Sequence, residues 1–153
     1  MSSVELAQLG IEWTRYGSLF DQATGLPSGW GFLFDRLEVA LARTRRTGTL
    51  VALFVLDEPR LFIEHRFDDV VSSLRAQLRA GDTIARIGEH RLVIVCTDIL
   101  RDEEAAQLAR QMLYDAGVIC TLGVVLGGPD DESDQLLARG IAAATQVIDA
   151  DEL

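Results

Sequence analysis

Asp82-Thr-Ile-Ala-Arg-Ile-Gly-Glu-His-Arg-Leu-Val-Ile-Val-Cys96 contains two apolar runs joined through a polar bend at Gly88, Glu89 and His90. In the first run Ile84 and Ile87 flank Arg86. The second, Leu92 to Cys96, is continuous and rich in β-branched residues, the pattern of a strand buried on both faces. The two runs predict a β-hairpin with an exposed bend.

The surrounding chain has 153 residues, enough for one domain that buries roughly 70% of the surface its unfolded chain exposes. A net charge of −10 opposes nucleic-acid binding, which needs clustered cations against phosphate. All 14 basic residues are Arg, so arginine abundance by itself marks no site. No run approaches the ~18 apolar residues of a membrane span, and no secretory leader pattern opens the chain, so a cytoplasmic protein is expected. Cys96 and Cys120 lie in apolar runs without metal-ligand spacing and read as reduced core thiols.

In chain order, Val4, Leu6, Leu9, Trp13, Tyr16, Leu19 and Phe20 recur at helical steps between polar residues. They predict an amphipathic helix over 1–20 preceding a domain over 21–153. Thr24-Gly-Leu-Pro27 is a turn, and Ser28 is a credible cap for a helix carrying Phe32, Leu33, Leu37, Val39, Ala40 and Leu41. Arg43, Arg45 and Arg46 close that helix as a solvated, dipole-matched end, and Gly48 stops it. Leu50 to Leu56 is an unbroken apolar run ending at Asp57, the pattern of a central strand with a carboxylate at its C-terminal end. Val70, Val71, Leu74 and Leu78 give a second helix face. A further helix is predicted from Asp98 to Asp115, a strand from Val118 to Leu126, and a turn at Gly127-Gly-Pro-Asp-Asp131. The last helix is expected over Ser133 to Ile148, with no strand after it.

Asp82 to Leu92 resembles the signature hairpin of the GGDEF family, the diguanylate cyclases, in which two glycines, two acids and a phenylalanine stand where this chain has Gly88, Glu89, His90, Arg91 and Leu92. Asp21, Thr24, Gly25, Leu26 and Pro27 are similar to the family's opening motif. The resemblance implies an α/β (α+β) fold with a mainly antiparallel sheet flanked by helices, as in the palm-type cyclases. It implies no matching chemistry. The family holds its metal with the first signature acid and with two aspartates at the end of the central strand. Here those places are His90, Asp57 and Pro59. Only 16 residues separate Asp57 from Leu74, too few for the family's guanine-reading segment. The expectation is a protein that is not an enzyme and carries no cofactor.

One family feature survives. Arg79-Ala-Gly-Asp82 matches the Arg-x-x-Asp motif of the family's inhibitory site for cyclic di-GMP, and Arg110 falls at the helper position on the next helix. Guanidinium forks suit phosphate and guanine edges, and a carboxylate accepts from guanine. The same two residues also read as a helix-end cap and a local ion pair. Cyclic di-GMP binding through Arg79, Asp82 and Arg110 is the leading expectation. The alternative is a nucleotide-independent interaction or dimerisation module using Leu9, Trp13, Tyr16 and Phe20 and the bend at Glu89 to Arg91. His65 and His90 read as solvated polar residues, and no metal is expected.

Overall fold

The computed structural model describes residues 30–57, 67–87, 91–118, 120–144 and 147–148. Its elements follow in the order α1 (Trp30–Thr47), β1 (Leu50–Asp57), α2 (Phe67–Ala76), β2 (Thr83–Ile87), β3 (Arg91–Ile99), α3 (Asp102–Ala116), β4 (Cys120–Gly127), α4 (Ser133–Ala143) and β5 (Val147–Ile148). The five strands form one sheet in the order β2-β3-β1-β4-β5, and every neighbouring pair is antiparallel. The predicted mainly antiparallel sheet is therefore observed.

The alternation of side chains along β1 sets the layers. Ala52, Phe54 and Leu56 face α2 and α3, packing with Val70, Val71 and Leu74 of the first and Ala105, Ala109, Met112 and Leu113 of the second. Val51, Leu53 and Val55 face the other way, onto Leu33, Phe34, Leu37 and Leu41 of α1 and Leu136 and Leu137 of α4. Six consecutive residues of β1 are buried, as the unbroken apolar run requires. β3 repeats the pattern: Leu92, Ile94 and Cys96 enter one core, Val93 and Val95 the other.

Gly48 ends α1 in the left-handed region (φ +74°), its N–H donating to the Thr44 carbonyl at 2.9 Å, and Gly117 does the same for α3 (φ +64°). A close approach joins α4 to β4. A methyl group on Gly123 would be driven into the Gly140 carbonyl oxygen and to 2.8 Å from the Ala144 nitrogen.

The structure corrects three sequence expectations. β3 continues through Asp98 to Ile99, so α3 begins at Asp102 and not Asp98. Its first turn still carries Asp102, Glu103 and Glu104 at the positive end of the helix dipole. The last helix stops at Ala143 and does not reach Ile148. A final strand does exist: Val147 pairs with Thr121 and Ile148 with Cys120. Two adjacent β-branched residues prefer extended backbone, and the apolar period that carried the helix reading through them was the weaker signal. The helix over 1–20, the opening turn and the bend at 88–90 lie outside the described residues.

Gly123→Ala is expected to lower stability by ~1–3 kcal/mol, since the contact is backbone against backbone and cannot be relieved by a rotamer change. Urea denaturation would show it, and an unchanged midpoint would contradict this packing. Cys96 and Cys120 are buried thiols, as expected. Burial pushes the Cys96 thiol up to about 12, with the Asp82 carboxylate adding to the shift and Arg79 opposing it. In the native protein at pH 8, Cys96 should react with a disulfide reagent only as fast as the chain opens. Because the folded value is the raised one, the stability contribution of Cys96 should decline as pH climbs from about 9 towards 12. Rapid stoichiometric labelling of Cys96 under native conditions would refute its burial.

Candidate functional site

Two places carry the residues singled out by sequence. The first is the end of β1. The register puts Asp57 opposite Arg91, the first residue of β3, and an Arg91 terminal nitrogen (Nη2) lies 3.4 Å from a carboxylate oxygen (Oδ2) of Asp57. Both side chains are about four-fifths buried, at 23% and 21% exposure, so water screens the pair only partly. The resemblance implies a divalent metal at Asp57, and the described residues do not fit one. A guanidinium already faces that carboxylate, and a second cation there would meet its repulsion. Leu92, next along β3, is a core residue packed among the side chains of α2 and α3. Gly88, Glu89, His90 and Pro59 lie outside the described residues.

The second place is the turn between α2 and β2. Here the Arg79 and Asp82 backbones and the Asp82 side chain close on each other. The Asp82 N–H donates to the Arg79 carbonyl at 2.9 Å, and the Arg79 N–H donates to Oδ2 of Asp82 at 2.9 Å. Oδ1 of Asp82 accepts from the Thr97 N–H at 3.2 Å, and Nη2 of Arg79 donates to the Thr97 carbonyl at 2.7 Å. Thr97 lies beyond the last β2 partner, since Thr83 pairs with Val95. The two side chains thus continue the β2 ladder one step past the strand, satisfying backbone groups that would otherwise lack a partner there. The Asp82 side chain is only 4% exposed, whereas Arg79 is 58% exposed.

The next residue, Asp98, has φ +59°, a left-handed conformation that a non-glycine residue adopts with strain. The register explains it. Ala52 pairs with Cys96 and Leu50 with Ile99, so two residues of β3 oppose one of β1, a β-bulge. From this bulge the Asp98 carboxylate meets Arg43 of α1 in a bidentate pair at 2.7 and 2.9 Å. Arg43 holds the Asp98 carboxyl below the usual carboxylate range. Arg45 donates to the carbonyls of Pro129 and Asp131. The end of α1 is therefore tied to β3 and to the β4–α4 turn, and the expectation of a merely solvated end is corrected.

Arg79 stands between two cavities. On the α3 side, a cavity of about 450 Å³ is lined by Gln77, Arg79, Asp82, Glu104, Gln107 and Gln111, among others. On the α1 side, one of about 320 Å³ is lined by Arg36, Val39, Arg43, Arg79, Thr97 and Asp98, among others. The predicted partners Arg79 and Asp82 come together. Arg110 is exposed on α3, next to Gln111, and does not line either cavity. Arg36 and Asp98 were missed by sequence reasoning. Arg36 and Arg43 are seven residues apart, two helical turns, so a shared face was legible; the bulge that aims Asp98 was not. Leu9, Trp13, Tyr16 and Phe20 lie outside the described residues.

No family model and no curated protein matches the chain. Solved structures do. The GGDEF domain of TpbB (YfiN) from Pseudomonas aeruginosa superposes with a TM-score of 0.70 at 21% identity, covering 82% of this chain and 86% of that one. The GGDEF domain of DgcB from Caulobacter crescentus, in complex with cyclic di-GMP, gives 0.69 at 17% identity over 87% of this chain and 89% of that one. The diguanylate cyclase SiaD from Pseudomonas aeruginosa, in complex with its activator SiaC, gives 0.70 at 18% identity; 93% of this chain matches 60% of SiaD. At these identities the likeness is one of architecture. The sheet order, the hairpin of β2 and β3 and the four flanking helices make this chain a GGDEF-like fold.

Proposed function

We propose that this chain is a signalling module of the GGDEF fold that makes no cyclic di-GMP and binds it at the Arg79–Asp82 turn. The observation that carries the first half is the Arg91–Asp57 pair. A carboxylate that the fold family uses on a metal is here neutralised by a side-chain cation, which supplies charge balance and no Lewis acidity. Support for the second half is the exposed Arg79 guanidinium at the family's offset from the hairpin, and the neighbouring DgcB domain in complex with this dinucleotide. Asp82 acts as a positioning residue in this reading. Its two oxygens accept from backbone N–H groups, so recognition falls to Arg79 and to the α3 face, where Arg110 adds charge. A second reading, docking of a protein, draws on two exposed residues, Leu100 just before α3 and Tyr114 in its last turn, and on the SiaD–SiaC complex.

Incubation with GTP and magnesium should yield no cyclic dinucleotide by chromatography, and measurable turnover would end the non-catalytic proposal. Titration calorimetry should detect cyclic di-GMP binding, weakened ~10-fold or more by Arg79→Ala through loss of charge-assisted hydrogen bonds. Arg79 is the residue to change, because an Asp82 variant would disturb the turn itself. Absence of heat with the wild type would retire the ligand and favour docking, whose signature is a partner complex indifferent to nucleotide.

A further inference from the structure

We infer that the cavity between α1 and the β2–β3 edge is a binding site for a phosphate-bearing small molecule, gripped by Arg36 and Arg79. From α1 the cavity takes Arg36, Val39, Ala40 and Arg43, residues at steps of three, four and seven that share one helix face. Arg36 is half-buried yet makes no hydrogen bond or ion pair among the described residues. A partly desolvated guanidinium ordinarily has a partner, because burial penalises an unpaired charge. Arg79, on the opposite wall, uses Nη2 on Thr97 and leans Nε on Asp82, leaving Nη1 uncommitted among the described residues.

Arg43 and Asp98, which both line the cavity, cancel each other's charge. Arg36 then remains without an anion among the described residues, and Arg79, paired with Asp82 through Nε, keeps Nη1 for a second one, in a chain whose net charge is −10. The cavity on the α3 side has the opposite balance, since Asp82 and Glu104 both line it with the single cation Arg79. Of the two cavities, the one on the α1 side therefore has the more cationic lining. Two forks facing one space suit phosphate oxygens, and the Thr83 and Thr97 side chains add hydroxyls. Val39, 54% exposed, together with Ala40 and Val95 provides an apolar wall for the body that carries the phosphate. This site shares Arg79 with the cyclic di-GMP reading but does not rest on it.

The test is a titration of the full chain with inorganic pyrophosphate at constant ionic strength, followed by the arginine Nε–H NMR signals. Saturable shifts are expected for Arg36 and Arg79. Arg36→Ala should weaken binding at least ~10-fold, with partial recovery in Arg36→Lys, which restores charge without the fork. Arg101→Ala, which removes the same charge from an exposed position at the start of α3, should leave the affinity unchanged. No saturable shift, equal affinity in Arg36→Ala, or loss in Arg110→Ala without loss in Arg36→Ala would overturn the inference. Pyrophosphate binding without cyclic di-GMP binding would sink only the earlier reading; the converse, with Arg36→Ala silent, would sink only this one.

Discussion

β1 pairs on both edges and is covered on both faces, and the molecule is built outward from that condition. A strand with no wet side must send alternate residues into two separate cores, so α1 and α4 must close one face and α2 and α3 the other. Neither core could be lost without stripping one face of the central strand. The price of close packing shows at Gly123 and Gly140, where helix and strand approach too closely for a side chain at the strand position.

Because the sheet interior is filled with aliphatic side chains, the charged groups gather where strands end. Two of these meetings use arginine in place of something else. At the end of β1, Arg91 faces the Asp57 carboxylate, where the resemblance implies a metal. At the end of β2, Arg79 and Asp82 stand in for the next rung of the strand ladder and hold Thr97. The second arrangement explains why an Arg-x-x-Asp turn is worth keeping even with no ligand bound. It also separates the roles of the pair, leaving Asp82 nearly buried and Arg79 facing solvent.

The bulge at Thr97 and Asp98 couples these features to α1. One extra residue in β3 turns the Asp98 carboxylate towards Arg43, fixing the helix end against the sheet and shaping the cavity that Arg36 and Arg79 share. The α1 surface thus lines a cavity as well as covering the core.

The sequence by itself determined the strands with uninterrupted apolar runs, the hairpin and the helix stop at Gly48, because each depends on local backbone preference or on a hydrophobic period a few residues long. It misjudged Val147 and Ile148, where helical period and β-branching conflict and pairing with β4 decides. Tertiary structure alone decided that Arg91 meets Asp57, 34 residues away, and that Arg43 meets Asp98, 55 residues away. Such pairs depend on strand register and on a one-residue bulge, and a single step of register sends a side chain to the other face of the sheet.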